Sequence, residues 1–255
     1  MQLETVNYEK KEGIIIISLN RPKVLNALNR QIWADLLVAM QAAEADTKAK
    51  VVILRGEGRA FSAGADLSEE FPEEIHWEHW ADTEQEVTRI MLRMPKVIIA
   101  AVQGYAIGAG MEIAEGADIR IVAEGTKFGS TETNVGDAVT NAGTKLLTHY
   151  IGLGRAKEFY FTNEFMDAKQ AYEYGLANKV VPPEELDKAA MEMAKKISEN
   201  SALSLMLTKT AVNRALGLSL EETLVMESRD IQVVVGSPEQ RQRTKEAMGR
   251  VRTKK

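Results

Sequence analysis

The sequence has no cysteine among its 255 residues, which excludes disulfide bonds and thiolate chemistry. It also lacks long apolar runs, and stretches such as Val97–Val102 are far too short to span a bilayer. The segment after Met1 has no basic start leading into an apolar stretch, so we expect no signal peptide. These absences predict a cytoplasmic protein without a membrane partner.

An excess of positive charge is also missing from the sequence. The formal net charge is −5, which disfavours binding to polyanions, so we predict no nucleic-acid partner. Basic residues do gather at the C-terminal end, where we expect a solvated, frayed tail. They are Arg241, Arg243, Lys245, Arg250, Arg252, Lys254 and Lys255.

The remaining composition is typical of a globular protein, with 45% hydrophobic and 27% charged residues. Two β-branched stretches, at 3–8 and 13–19, are separated by a turn at Gly13 and predict a hairpin. Asn29 is a candidate N-cap for the helix that follows. A short apolar run at 51–54 then predicts a buried strand.

Strands and helices continue to alternate beyond this strand. A helical stretch at about 73–93 is followed by predicted strands at Val97–Val102 and Asp118–Val122. Alternation of this kind predicts an α/β fold, in which the turns after the strands form the natural place for a site.

The loss of strand patterns after Pro182 predicts a second region. Only helical periodicity continues from there towards the C-terminus. We therefore place the core with the active site in residues 1–195 and a helical region in residues 196–255. The predicted helices are Leu186–Ile197, Ala202–Leu216 and Leu220–Val234.

Three segments rich in small residues each follow or end a predicted strand, at 59–67, 104–112 and 128–136. Glycine and alanine allow a ligand to approach the backbone closely, and backbone N–H groups at such turns can donate to an oxyanion. Tight packing of a helix on a sheet selects the same small residues, so each segment alone is weak support for a site.

Taken together, these segments resemble the crotonase (enoyl-CoA hydratase/isomerase) family in their order and spacing. The resemblance extends over nearly the whole chain. It implies a crotonase-like spiral of ββα units with a C-terminal helical region that makes trimer contacts, and self-association to a trimer or hexamer. The motifs that carry it are Leu19–Pro22, Leu25–Leu28, Ser62–Leu67 and Gly108–Glu112.

The resemblance also implies an activity and its residues. Family members bind an acyl-CoA thioester and stabilise its enolate in an oxyanion hole, whose two backbone N–H donors fall here on Ala65 and Ala109. Glu112 and Glu132 match the two catalytic carboxylates of the hydratases, with Glu112 activating water and Glu132 delivering a proton. Two carboxylates around one water can perform both steps. The resemblance thus implies an enoyl-CoA hydratase.

Coenzyme A is expected only as part of the substrate, with no prosthetic group. The resemblance places the residues that bind it in two segments of the chain. Lys23 could meet a phosphate, although a solvated lysine is an equally good interpretation of this residue. The residues are Lys23, Val24, Leu25, Ala63, Asp66 and Leu67, together with Ala65.

The sequence departs from simple hydratases at 137–144, where a Pro- and Gly-rich stretch is usual. Asp137, Thr140 and Asn141 add polar groups that we expect near the acyl pocket. The acyl group could accordingly carry an oxygen or a ring. The reaction could also be a related one, such as isomerisation of an enoyl-CoA or hydrolysis of a carbon–carbon bond.

Two further classes of function remain open. A non-catalytic crotonase-like protein could bind RNA through its basic tail, although the two glutamates argue against this alternative. A serine hydrolase would use Ser62 with His149 as a candidate base, but Ser62 lacks the Gly-x-Ser-x-Gly motif. The other nearby acids, Glu115 and Glu124, are interpreted as solvated surface charges.

A metal site is not expected. His76 and His79 are only three residues apart, and the His-Glu-x-x-His motif is absent. Trp77 and Trp80 in the same cluster are more consistent with a helix or lid beside the acyl pocket.

Overall fold

The computed structural model describes residues 3–70 and 77–252. The predicted cluster at 76–80 lies outside the residues whose side chains are described, as do the basic residues beyond Gly249. Nine strands form within the described part of the chain. They are β1 (Val6–Lys11), β2 (Ile14–Leu19), β3 (Val51–Gly56), β4 (Val97–Val102), β5 (Tyr105–Ile107), β6 (Ile119–Ala123), β7 (Lys127–Gly129), β8 (Met166–Asp167) and β9 (Lys179–Val181).

Eleven α-helices accompany these strands within the same described residues. They are α1 (Arg30–Ala45), α2 (Trp77–Arg93), α3 (Ala109–Glu115), α4 (Glu132–Val135), α5 (Gly143–Ile151), α6 (Leu153–Thr162), α7 (Ala168–Tyr174), α8 (Leu186–Ser198), α9 (Ala202–Ala215), α10 (Leu220–Val234) and α11 (Pro238–Arg252). The α/β class predicted from alternating patterns is therefore confirmed.

The strands form two sheets, and each repeating unit of the chain contributes strands to both. A six-stranded sheet has the order β1-β2-β3-β4-β6-β9, and a three-stranded sheet has the order β5-β7-β8. Within successive units, β4 and β6 enter the large sheet while the next strands, β5 and β7, enter the small sheet. A bridge between Ser62 and Ala106 adds the segment after β3 to the small sheet in the same way. This arrangement is the expected spiral of ββα units.

The large sheet begins with the predicted hairpin, in which β1 pairs antiparallel with β2. From β2 onward its strands run parallel, so their carboxyl ends meet at one edge. The helix predicted after Asn29 is α1, and the Asn29 side chain accepts a hydrogen bond from the N–H of Ile32 at 3.1 Å. This cap satisfies one of the free donors in the first turn.

The C-terminal helices differ in how they contact the core. Helix α8 packs on the large sheet through Leu186, Ala189, Ala190 and Ala194. Helix α9 contacts α2 and β4, whereas α10 packs on α9 and contains no buried residue. The predicted boundary at 195 falls inside α8, three residues before its end at Ser198.

The basic C-terminal segment is more ordered than the sequence predicted. Instead of a frayed tail, residues 238–252 form α11. Arg243 donates to Glu239 one turn earlier at 2.9 Å and to the carbonyl of Glu199 at 2.9 Å. These bonds attach the helix to the end of α8, so part of the basic charge is paired.

Candidate active site

Two loops at the carboxyl edge of the large sheet are joined by a buried asparagine. Asn26 has no exposed surface, and its amide nitrogen donates to the carbonyl oxygens of Glu57, Ala60 and Phe61 at 3.0, 2.9 and 3.2 Å. The backbone of Asn26 is in the left-handed region, with φ of 56°. The asparagine therefore fixes a segment that has little regular structure of its own.

The residues predicted to bind coenzyme A lie along these two joined loops. Lys23 and Val24 are exposed in a short 3₁₀ turn, and Leu67 is 82% exposed. The N–H of Ala63 donates to the carbonyl of Leu25 at 2.9 Å, which holds the two loops together. The structure thus brings the predicted residues into one surface, although its role in binding stays a prediction.

The side chain of Asp66 forms hydrogen bonds that hold the loop at this surface in place. Its carboxylate accepts from Arg21 at 2.8 Å and from the Ser68 hydroxyl at 2.6 Å. Both hydrogen bonds lower the pKa of Asp66, and the bond from Ser68 has the larger effect. Asp66 is therefore an anchor for the loop, and its own N–H also donates to the carbonyl of Leu28 at 3.0 Å.

The two predicted oxyanion donors follow glycines that pack closely together. A Cβ on Gly64 would lie 2.7 Å from the carbonyl oxygen of Ile107 and 3.7 Å from the Cα of Gly108. Gly64 and Gly108 also have positive φ, of 87° and 52°, which favours glycine. Both the close approach and the conformation explain these small residues.

The next residues along each turn, Ala65 and Ala109, carry N–H groups without a partner. Within the described chain neither group donates to a protein acceptor. Ala65 is exposed, and Ala109 is the first residue of α3, where N–H groups have no intrahelical acceptor. Free donors on a fixed backbone are suited to bind an oxyanion.

Glu112 lies on α3, one turn beyond Ala109, and is 4% exposed. Its Oε1 accepts from the N–H of Thr140 at 2.8 Å, and its Oε2 accepts from the amide of Asn141 at 2.9 Å and the hydroxyl of Thr140 at 3.2 Å. Both oxygens are therefore oriented by residues 28 and 29 positions later in the chain.

Burial raises the pKa of Glu112 to about 6, and the charge of Glu132 adds to this rise. The hydrogen bonds from Asn141 and Thr140 oppose it because they stabilise the ionised form. A carboxyl group balanced in this way can exchange protons near neutral pH, as a general base requires.

Glu132 opens the short helix α4 and faces the same cavity from the other side. Its Oε2 accepts from the Ser130 hydroxyl at 2.5 Å. Its Oε1 lies 2.9 Å from the position that a Cβ on Gly108 would occupy, so the carboxylate lies directly over the turn that leads into α3. Glu112 and Glu132 both line one small cavity of about 10 Å³, room for about one water molecule.

A third glutamate in this cavity was missed from the sequence. Glu115 was expected on the surface, but it is 1% exposed and lines the cavity with Glu112 and Glu132. The expectation for Glu124 is correct, because that residue is exposed. Glu115 follows Glu112 by three residues in α3, and this helical spacing was a sequence signal that both share a face. Tyr160 of α6 lines the cavity too, with no comparable signal.

Two polar residues of the unusual loop lie at the Glu112 carboxylate, and the third is exposed. Thr140 and Asn141 donate hydrogen bonds to the Glu112 carboxylate, and their expected place near the acyl pocket stays a prediction. Asp137 is exposed, and its carboxylate accepts from the N–H of Ala138. The loop therefore adjusts the properties of Glu112.

The serine hydrolase alternative does not fit the structure. Ser62 has no exposed surface, and its hydroxyl donates to the carbonyl of Asn26 at 2.8 Å. His149 is exposed on α5. Ser62 instead contacts Gly110, where a Cβ would lie 2.6 Å from the serine Cβ.

The described residues contain neither a cluster of metal ligands nor a helix that could span a membrane. Across 3–70 and 77–252, no group of three or more His, Asp or Glu side chains is arranged to hold a metal ion. None of the helices in those ranges has the length and apolar character needed to cross a membrane.

Comparison with known proteins extends these observations. The short-chain-enoyl-CoA hydratase of Clostridium acetobutylicum is 37% identical over 230 residues, covering 89% of this chain and 88% of that protein. The crotonyl-CoA hydratase of Syntrophomonas wolfei is 33% identical, covering 89% and 88%. The crystal structure of enoyl-CoA hydratase from Bacillus anthracis has a TM-score of 0.92 at 32% identity, covering 97% and 96%.

The spiral of ββα units and the paired glycine-rich turns define a crotonase fold. A model of the enoyl-CoA hydratase/isomerase family matches residues 9–251. The chain belongs to the enoyl-CoA hydratase/isomerase family, as the motifs in its sequence predicted.

Proposed function

We propose that this protein is an enoyl-CoA hydratase that adds water across the conjugated double bond of an acyl-CoA thioester. The observation that carries the proposal is the pair Glu112 and Glu132, which line one cavity beside two unpaired backbone donors. Relatives at 33–37% identity that bear hydratase names support the same reaction.

In the proposed reaction, Glu112 accepts a proton from the water molecule as its oxygen bonds to the β-carbon. Electrons of the double bond move towards the thioester, and negative charge develops on its carbonyl oxygen. Glu132 delivers a proton to the α-carbon, which discharges the enolate. A proton then passes from Glu112 back to Glu132, so that water is the only species consumed.

The N–H groups of Ala65 and Ala109 would hold the developing oxyanion. Fixed backbone donors stabilise such charge without reorganising, and loss of one donor typically lowers kcat about 10²–10³-fold. The loops at 23–25 and 63–67 would bind coenzyme A, which enters as part of the substrate. The reaction needs no prosthetic group.

The test is mass-resolved turnover of straight, branched and aromatic enoyl-CoA thioesters by the purified protein. We expect at least one substrate to gain one water. Glu112→Gln and Glu132→Gln should each lower kcat about 10²–10⁴-fold, since each removes a proton-transfer group.

Glu124→Gln is the matched control, because this glutamate is exposed outside the cavity. Its activity should equal that of the unmodified protein. Hydration that survives both active-site substitutions would contradict the proposal. Rearrangement or carbon–carbon cleavage without gain of water would move the assignment to another reaction of the family, and acyl-CoA binding without turnover would indicate a non-catalytic protein.

Self-association to a trimer or hexamer is part of the proposal. Apolar side chains are exposed along the C-terminal helices, and a second copy of the chain would cover them. The exposed residues are Val212, Leu216, Leu218, Leu220, Leu224, Val225, Ile231, Val233 and Val235. Location in the cytoplasm and the lack of nucleic-acid or membrane partners stay predictions from the sequence.

A further inference from the structure

The end of α3 that points away from the proposed oxyanion donors is held by one buried arginine. Arg120 is 2% exposed, and its guanidinium donates to the carbonyls of Ala117 at 2.6 Å, Glu115 at 3.2 Å and Ala114 at 3.3 Å. Its Nε donates to the carbonyl of Leu176 at 2.6 Å. The arginine therefore caps the C-terminal turn of α3, where a helix leaves carbonyls without intrahelical donors.

Tyr150 of α5 reinforces this cap in two ways. Its hydroxyl donates to the carbonyl of Glu115 at 3.0 Å, and the guanidinium of Arg120 lies 4.2 Å from the centre of its ring. A cation over an aromatic face is attracted by the electrons of the ring. Tyr150 thus contacts both the end of the helix and the arginine that holds it.

The backbone of Arg120 is itself fixed in the large sheet. Arg120 belongs to β6 and pairs with Ala100 of β4. Its N–H donates to Oδ1 of Asn178 at 2.8 Å, and its carbonyl accepts from the N–H of Asn178 at 2.9 Å. The side chain of Arg120 therefore connects α3 to a strand that is hydrogen-bonded on both sides.

The same helix carries two groups that the proposed reaction needs. Ala109 is the first residue of α3, and Glu112 follows one turn later. The apolar packing around α3 is non-directional, whereas hydrogen bonds favour one distance and angle. The bonds from Arg120 are therefore suited to fix the position of α3 along its own axis.

We propose that Arg120 is a positioning residue for the oxyanion hole, which acts through α3 on the N–H of Ala109. This inference rests on the oxyanion hole of the proposed function and extends it to a residue that does not line the cavity. Oxyanion donors act at about 2.7–3.1 Å from the oxygen that they stabilise. A displacement of about 1 Å can cost about 10²-fold in rate, so loss of Arg120 should lower kcat.

The charge of Arg120 acts in the same direction as its hydrogen bonds. A cation at the C-terminal end of a helix offsets the negative end of the helix dipole. The field at the N-terminal end, where Ala109 lies, then favours an anion more strongly. Arg120→Lys and Arg120→Met separate the two effects, because lysine keeps the charge but loses the planar set of donors.

The first measurement reads the oxyanion hole without the hydration reaction. Acetoacetyl-CoA ionises to an enolate with its own ultraviolet absorbance, and donors to the enolate oxygen favour this form in the bound state. At saturating ligand and fixed pH, Arg120→Met should lower the ratio of bound enolate to bound neutral thioester roughly tenfold or more. Arg120→Lys should lower it less.

The second measurement is the kinetics of hydration. Arg120→Met should lower kcat about 10–10²-fold, with a much smaller change in KM, because the helix end affects the charged transition state more than the bound substrate. Tyr150→Phe removes one donor from the same helix end and should lower the enolate ratio and kcat by a smaller factor. It tests the inference if Arg120→Met fails to fold.

Arg155→Met is the matched control. The Arg155 guanidinium also lies 4.2 Å from the centre of a tyrosine ring, that of Tyr174, but Arg155 is exposed on α6. Its loss should leave the enolate ratio and kcat unchanged. An equal fall of both in Arg155→Met would overturn the inference.

Folded Arg120 variants that retain the enolate ratio of the unmodified protein would also overturn the inference. A role in stability alone gives this result, because it lowers the amount of folded protein and not the ratio in the bound state. An enolate ratio that depends on Arg120, without hydration of any thioester, would support the inference and contradict the hydratase reaction alone. An unmodified protein that binds only the neutral thioester would contradict the oxyanion hole, and the inference with it.

Discussion

Glu112 shows how a single carboxyl group obtains properties suited to its proposed task. Burial favours its neutral form, while two residues of a distant loop favour its ionised form. With the pKa raised to about 6, the group is mostly ionised at pH 7 yet basic enough to accept a proton from water. Because only the ionised form can act as the base, kcat/KM should fall as pH drops below about 6.

Asn141→Ala should move this decline to higher pH. The amide of Asn141 stabilises the ionised carboxylate, so its loss raises the pKa of Glu112. A hydrogen bond to a charged group contributes about 1.5–3 kcal/mol, which corresponds to a shift of about one pH unit or more. The pH profile of kcat/KM measures the shift.

Asn200→Ala provides a control at an exposed position away from the cavity, and its profile should match that of the unmodified protein. An unchanged profile in Asn141→Ala would show that the acid limb reports another group. Glu84, Glu115 and Glu132 are the acids to consider, since Glu84 also lies 3.4 Å from the amide of Asn141.

Some individual residues of the site could be predicted from the sequence, and others could not. Glu112 and Glu132 were predicted from their positions in recognisable motifs, and they do line one cavity. Glu115 was assigned to the surface because acidic residues are usually exposed, although its helical spacing from Glu112 indicated a shared face. Tyr160 comes from a separate helix, so only the fold brings it to the cavity.

Among the elements, α9 is held to the core by a buried lysine. The ammonium of Lys209 donates to the carbonyls of Met91 and Lys96 at 2.7 and 2.9 Å, and to Asp118 at 2.8 Å. The side chain of Lys209 is 5% exposed. One residue thus connects α9 to the end of α2 and to the turns that enter β4 and β6.

Lys209→Met should destabilise the protein by about 3–5 kcal/mol, because it removes the cation from the largely buried Asp118 carboxylate, which retains a hydrogen bond from the N–H of Ile98, and takes a donor from two carbonyls. Chemical denaturation followed by circular dichroism measures the change. Lys195→Met is the matched control, since Lys195 forms an exposed ion pair with Glu12 and its loss should have little effect. Equal stability of the two variants would contradict the role of Lys209.

Whether an element could be predicted from the sequence depended on the length of that element. The hairpin, β3 and β4 have apolar or β-branched runs, whereas α1, α8, α9 and α10 have helical periodicity, and all of them agree with the sequence predictions. Strands β5, β7, β8 and β9 are only two or three residues long, too short for a period of two to be recognised. Their conformation depends on pairing with neighbours, so the small sheet beside the site could be inferred only by resemblance.

At the scale of the whole molecule, the C-terminal helices expose more apolar surface than a monomer normally would. Helix α10 has 15 residues and none of them is buried, although helices in proteins gain most of their stability from packing. Leu220, Leu224 and Ile231 of this helix remain exposed. A second copy of the chain would supply the missing contacts.

Ile231→Arg should therefore dissociate the oligomer, because a charge buried at an apolar interface is costly. Size-exclusion chromatography with light scattering should give the mass of a trimer or hexamer for the unmodified protein and a smaller mass for the variant. Val38→Arg alters an equally apolar, 44% exposed residue of α1 and should keep the original mass. A monomeric unmodified protein would contradict the proposed assembly.

The buried glutamates make folding of this chain a proton-binding reaction. Glu112 and Glu115 have raised pKa values in the folded state, so above pH 4.5 these two groups bind more protons in the folded protein than in the unfolded chain. These groups contribute their full share of the free energy of unfolding below pH 4.5. That contribution is lost as pH rises, by about 2 kcal/mol through pH 6 for Glu112 alone.

In denaturant titrations, the free energy of unfolding of Glu115→Met should depend less on pH across this range. An identical pH dependence in the variant and the unmodified protein would contradict a protonated Glu115. In a weakly buffered solution, refolding should make the medium measurably more alkaline.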